Sequence, residues 1–283
     1  MFARILRRSV NFIPYSIRTR IRDIPIARSL QRWVFRSWLS GQSFDYTINA
    51  GPAKGLRYPI ELPQDKNIWT GTYEPEFAAE VVSRITPGAV CYDIGGFRGF
   101  FSGVMACRGA SEVFVFEPFP SNCNQISRMT ALNPDLRIEL VRSAVADTNG
   151  NVAFEVMPEA SMGKLSESRF DSGGADAAET ITVPQLCLDD FIFEQNKPAP
   201  DLLKIDVEGA EASVLRGAQR MLKEHNPVLL IEVHSPSIGQ ECLPLLEDCG
   251  YDVTILQTGR RPEPETHPEV CHYVAVRNPG EQG

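Results

Sequence analysis

The sequence predicts an α/β fold with a mostly parallel sheet covered by helices on both faces. Two observations carry this. Short apolar runs rich in Val, Ile and Leu recur from about Pro87 onward, and stretches with helix-period apolar residues separate them. The composition agrees. At 43% hydrophobic and 23% charged over 283 residues, it excludes disorder, collagen-like repeats and coiled coil as wholes.

Residues 1–40 form a basic N-terminal arm. Its first 38 positions hold nine Arg (Arg4, Arg7, Arg8, Arg18, Arg20, Arg22, Arg28, Arg32, Arg36) against Asp23 alone. The net charge is −8, so the body of the chain is strongly acidic, which argues against a nucleic-acid-coating protein. Leu30, Val34, Phe35 and Trp38 share a helical face opposite an Arg28, Arg32, Arg36 stripe. Three readings stand: a helix docked on the main domain, a peripheral membrane or protein-binding arm, or an organelle-targeting segment. Residues 41–86 are a lead-in and cap segment.

The main domain is expected over residues 87–277. Ala89–Ile94, Val113–Phe116, Ile138–Val141, Leu202–Ile205 and Val228–Glu232 read as buried strands. Gly99–Arg108, Ser121–Leu132, Ala210–Lys223 and Gln240–Cys249 read as the helices between them. Tyr251–Leu256 and Cys271–Arg277 leave no room for a convincing helix, so an antiparallel pair is expected there. Val152–Val156 and Thr180–Val183 suggest a β excursion over residues 150–185, with Pro158–Ala178 as a lid or disordered loop. Residues 278–283 are a tail.

Seven dispersed cysteines with no C-x-x-C pair read as reduced thiols rather than a disulfide or zinc framework. No run is long enough to span a membrane, so a cytoplasmic location is expected, with peripheral contact at an inner membrane surface as an extension of it.

The glycine turn carries the chemistry. A buried strand ends at Asp93, Gly95 and Gly96 bend the chain, and a helix starts near Gly99, aiming N–H groups at the strand's carboxyl end. The spacing is D-x-G-x-x-x-G, not the G-x-G-x-x-G of a diphosphate cradle. Some twenty residues on, Glu117 ends the next strand, where an acid accepts ribose hydroxyls. Two such tips favour an adenosine-containing ligand without phosphates, S-adenosylmethionine being the obvious candidate. Asp206 and Glu208 end the fourth strand, and Glu232 and His234 the fifth. They can orient a ligand, take a proton from a hydroxyl, or bind a divalent cation such as Mg2+.

With these residues in place, the chain resembles the FkbM family of S-adenosylmethionine-dependent methyltransferases. The resemblance rests on Tyr73-Glu74-Pro75, the Asp93–Ser102 turn, Phe116-Glu117-Pro118 with Asn122 and Asn133, Ser143-Ala144-Val145, Leu188-Asp189-Asp190-Phe191 and Leu203–Gly217. It implies a class I methyltransferase (Rossmann-like) sheet of seven strands, the last one antiparallel. It also implies O-methylation of a hydroxyl on a sugar, glycan, glycolipid or natural product. Asp93, Gly95, Gly96 and Gly99 then line the methionine side of the cofactor, with Glu74 also at the cofactor. Glu117 holds the ribose, Ser143 and Ala144 lie near adenine, and Asp206 and Glu208 face the reacting methyl. Where the family has Ala-Asn after the first glycine, this chain has Gly96-Phe97, and Arg98 is the candidate to pair with the cofactor's carboxylate instead. The base is expected at Asp206 or His234, with Glu208 and Glu232 orienting. Two other functions stay open: a catalytically silent methyltransferase-like binding protein, and an NAD-dependent oxidoreductase.

Overall fold

In the computed structural model, residues 17, 41–156, 163–165, 179–264 and 267–277 are described. The elements run β1 (Ser43–Thr47), β2 (Arg57–Glu61), α1 (Lys66–Thr70), α2 (Pro75–Arg84), β3 (Val90–Ile94), α3 (Phe100–Cys107), β4 (Glu112–Phe116), α4 (Pro120–Leu132) and β5 (Ile138–Val141). There follow β6 (Ala144–Val145), β7 (Gly150–Val156), β8 (Gly163–Leu165), β9 (Glu179–Leu186) and α5 (Leu188–Phe193). The chain continues through β10 (Leu202–Ile205), α6 (Glu211–Arg216), α7 (Gln219–His225), β11 (Val228–Val233), α8 (Pro236–Glu247), β12 (Tyr251–Ile255) and β13 (Cys271–Arg277).

Seven strands make the main sheet in the order β12-β13-β11-β10-β3-β4-β5. The five from β11 to β5 are parallel, and β13 is antiparallel to both β11 and β12. This is the seven-stranded Rossmann-like sheet with an antiparallel last strand that the resemblance implies. From β3 the chain runs outward through β4 and β5, then returns to lay β10 on the other side of β3. That reversal opens a crevice above the carboxyl ends of β3 and β10.

Alternation along the strands sorts the core into two layers. Tyr92, Phe114 and Phe116 face one side, where each ring meets Phe191 of α5 at centroid distances of 6.0, 5.9 and 5.2 Å. Cys91, Val113, Leu202 and Leu230 face the other, against Phe77, Phe101 and Val104. Asp93 and Lys204 belong by alternation to this second, apolar side, and they are register partners.

The expected helix over Ala210–Lys223 is two helices, α6 and α7. Gly217 ends the first: a Cβ there would lie 2.2 Å from the Ala146 carbonyl oxygen, so the chain passes too close to β6 for a side chain. The Asp189 carboxylate then accepts from the Arg220 and Met221 N–H groups at 2.9 and 2.8 Å, capping α7 as a separate helix. The last long helix starts at Pro236 rather than Gln240, because Ser235 accepts from Ile238 N and Pro236 fits the first turn.

The β excursion is a second sheet in the order β6-β9-β7-β8, reaching over residues 144–186. Most of the expected loop Pro158–Ala178 lies outside the described residues, as do the arm readings over residues 1–40 (Ile17 apart) and the 278–283 tail. The lead-in segment folds into the β1–β2 hairpin with α1 and α2. It is fastened to the main domain by Tyr58 Oη, which donates to the Arg98 carbonyl at 2.7 Å, and by Gln125, which donates to the Pro59 carbonyl. All seven cysteines are free thiols. Among the described residues, no helix is long and apolar enough to cross a membrane.

Candidate active site

A cleft of about 590 Å3 opens above the tips of β3, β4, β10 and β11. Its lining includes Glu74, Gly95, Phe97, Glu117, Ser143, Ala144, Phe154, Asp206, Glu208, Glu232 and His234. The fold thus gathers on one rim residues that lie up to 160 positions apart.

The β3–β4 side is shaped by backbone. Gly95 has φ +73, and a Cβ on it would fall 1.8 Å from the Asp206 carbonyl oxygen, so only glycine lets β3 turn beside β10. Glu117 lies in the floor, 4% exposed; its carboxyl accepts from Phe97 N at 2.8 Å, Phe119 N at 2.9 Å and Asn122 Nδ2 at 3.3 Å. Burial pushes its pKa up to about 7 against those donors.

Four of the expected ligand residues serve this side from behind. Asp93 is fully buried and accepts from Ser102 Oγ at 2.5 Å, with Lys204 Nζ at 3.0 Å. Gly96 packs against Val115 and Gly99 against α4, where a Cβ would lie 3.0 Å from Met129. Arg98 is placed away from the cleft. Its guanidinium is buried and paired with Asp65 at 2.8 Å and Glu61 at 2.8 Å, so it does not face the cleft.

The β10–β11 side is a network of titratable groups. Lys204, buried in the strand Leu202–Ile205, reaches Asp93 at 3.0 Å, Asp206 at 3.2 Å and the Gly95 carbonyl at 3.0 Å. Burial opposes its charge, but Asp93 and Asp206 outweigh burial and hold the ammonium above its ordinary range. His234 Nδ1 lies 2.7 Å from Glu211 Oε1, while Nε2 is 3.4 Å from Glu208, 3.7 Å from Asp206 and 4.0 Å from Glu232. Burial pulls the imidazole down, but Glu211, Asp206 and Glu208 lift it to about 9.

Burial also raises Asp206, Glu208 (to about 7) and Glu74 (to about 7), the last with help from Glu232 and Asp206. One oxygen of Glu74, Oε2, is buried without a hydrogen-bond partner. Glu232 moves the opposite way. Burial alone would raise it, but His272 and His234 hold it below the usual range.

Glu74, Phe97 and Glu208 have φ of 36°, 50° and 52°, three of the five non-glycine residues with positive φ among those described. Such strained backbone gathers where ligands are held.

Two groupings bring metal-type ligand atoms within 4.8 Å of one another: Asp206, Glu232 and His234, and Glu74, Glu232 and His272. Neither suits Mg2+, which takes oxygen donors, because each includes an imidazole and the first has the Lys204 ammonium against Asp206. The expected Mg2+ therefore does not fit this donor set.

The chain is similar to known methyltransferases. Hexuronic acid methyltransferase AglP of Haloferax volcanii is 26% identical over 171 residues, covering 60% of this chain and 66% of AglP. Methyltransferase sdnD of Sordaria araneosa is 29% identical over 200 residues, covering 61% of this chain and 77% of sdnD. A crystal structure of methyltransferase FkbM from Methylobacillus flagellatus KT superimposes with a TM-score of 0.44 at 18% identity, covering 74% of this chain and 52% of that one. The methyltransferase FkbM domain matches residues 93–253, from the strand tip that carries the glycine turn to the strand beyond α8. That match covers more than half of the sequence and the tips of β3, β4, β10 and β11, and by it the chain belongs to the FkbM methyltransferase family.

Proposed function

We propose that this methyltransferase transfers the methyl group of S-adenosylmethionine to a hydroxyl oxygen of a sugar-bearing or natural-product acceptor. One observation carries the reading: Glu117 lies in the floor of the cleft where His234, fixed by a buried carboxylate, stands across from it. The first is what a ribose needs and the second is what a hydroxyl nucleophile needs. AglP, a hexuronic acid methyltransferase, lends support for a sugar acceptor.

The residues suit the cofactor. Glu117 offers its carboxyl to the ribose, Ser143, Ala144 and Phe154 make a wall for the adenine, and Gly95 leaves room beside the methionine chain. The unpartnered Glu74 oxygen is an acceptor for an ammonium or hydroxyl. When bound, the cofactor supplies an electrophilic methyl on a sulfonium. The chain's own task is to align the acceptor oxygen and to remove its proton. Asp206 has one oxygen committed to Lys204, which favours His234 as the proton acceptor, with Asp206, Glu208 and Glu232 fixing the ring and the acceptor.

The test pairs calorimetry with S-adenosylhomocysteine and transfer of labelled methyl from S-adenosylmethionine to methyl glycosides. Expected are micromolar binding and base-stable label on the glycoside, as an ether gives. Label only on amines or carboxylates sinks the hydroxyl assignment. Loss of turnover in Asp206→Ala with binding intact supports a role for that carboxylate in the chemistry, and wild-type turnover removes it.

A further inference from the structure

The carboxyl of Glu211 lies outside the cleft lining yet determines what His234 offers to it. We propose that Glu211 is a positioning residue: it holds His234 in the Nδ1–H form, so that Nε2 is the ring atom presented to the acceptor hydroxyl. This rests on the hydroxyl-transfer reading above.

Glu211 is fully buried in the first turn of α6. Its Oε1 takes the Gly209 N–H at 3.0 Å and His234 Nδ1 at 2.7 Å. A carboxylate only accepts, so the hydrogen between Oε1 and Nδ1 belongs to the imidazole. Burying an acid in the first turn of α6 costs more than burying a leucine there, so its presence points to use rather than packing.

The other groups that face His234 are carboxylates as well. Asp206 and Glu208 come from the loop after β10 and Glu232 from β11, with Lys204 behind Asp206 and His272 of β13 behind Glu232. Cys242 of α8 lies near enough to Glu211 for the acid's charge to act on its thiol. Of these, Glu211 alone touches Nδ1. The remainder surround Nε2, where a hydroxyl would enter.

The step balances. An acceptor-oxygen lone pair forms the O–C bond, the C–S pair stays with sulfur, and the hydroxyl proton passes to Nε2 and then to water. Because Glu211 and its neighbours hold the ring proton up to about 9, transfer accelerates as pH rises through that range.

The test is 15N-edited NMR of the four histidines in the S-adenosylhomocysteine-loaded protein, with His234→Asn to assign the signal. Expected is a His234 that loses a proton near pH 9 and above that midpoint is neutral, with its remaining proton on Nδ1. In Glu211→Gln, which still accepts from Nδ1 but lacks the charge, the titration midpoint should fall by about one pH unit or more, with homocysteine-nucleoside affinity unchanged. The rising limb of methyl transfer to methyl glycosides should move with it. A neutral wild-type ring that keeps its proton on Nε2, or a midpoint and limb that stay in place in Glu211→Gln, overturns the proposal.

If Glu211→Gln fails to fold, Glu211→Asp keeps the charge but withdraws it by one methylene. It should lower kcat about tenfold or more with KM for the cofactor unchanged, and unchanged kcat overturns the assignment. Absent binding of S-adenosylhomocysteine would instead strike the methyltransferase site. Absent glycoside labelling with binding intact would strike the sugar-hydroxyl reading, and the NMR result then decides the role of Glu211.

Discussion

The two sides of the cleft are built by different physics. At the β3–β4 tips, shape rules: Gly95 exists because a Cβ would sit 1.8 Å from a carbonyl oxygen, and Glu117 is held by backbone N–H groups. At the β10–β11 tips, charge rules. Lys204, Asp206, Glu208, Glu232 and His234 are held by one another and by groups from other elements, with pKa values pushed in both directions. In the proposed reaction the first side holds a ligand of fixed form, and the second moves a proton.

This contrast can be broken by experiment. Gly95→Ala should be the most damaging change, because it adds a backbone collision to a φ of +73. A loss of about 3 kcal/mol or more is expected in denaturant unfolding, equal at pH 5 and pH 8 because the cause is steric. Lys204→Met should cost about 3 kcal/mol by stranding Asp93 and Asp206, and here the loss should be greater at pH 8 than at pH 5, where protons can replace the ammonium. If both variants show the same pH dependence, the division between shape and charge fails.

A gentler test is the ligand-free protein's melting temperature against pH. Glu74, Glu117 and Glu208 are raised to about 7 and His234 to about 9, chiefly by burial for the acids and by its carboxylate neighbours for the histidine. The folded state therefore holds protons that the unfolded chain releases between the ordinary acid range and pH 9. Stability should fall as pH rises from 5 to 9, and a flat or rising melting curve contradicts the assignments. The smallest effect is Phe97→Asn. Asn tolerates the left-handed region better, so the variant should gain about 1 kcal/mol in the same unfolding assay, at no cost to the sheet.

The same contrast explains what was legible in the sequence. The parallel strands, the glycine turn and Glu117 are local signals: an apolar run, a bend and an acid at a fixed offset. Asp206, Glu208, Glu232 and His234 could be read as strand tips sharing a rim. The pairing of Arg98 was not legible because its partners, Glu61 and Asp65, come from a hairpin and turn 33 to 37 positions away that carry no motif. Glu211 was missed because its partner is 23 residues off in another element. Lys204 did leave a trace. A lysine inside the run Leu202-Leu203-Lys204-Ile205 is out of place in a strand buried on both faces, and only a counter-charge from a neighbouring strand accounts for it.

The Arg98 pairing has a mechanical consequence. Through Arg98 and Tyr58, the β1–β2 ribbon with the turn that follows it and the bend after β3 are tied by two ion pairs and a hydrogen bond, those to Asp65 and Tyr58 buried. Peeling the ribbon away would slacken the bend in the same motion, so the two behave as one cooperative opening unit. An occupant pressed against the bend would then slow amide exchange in a hairpin it never touches.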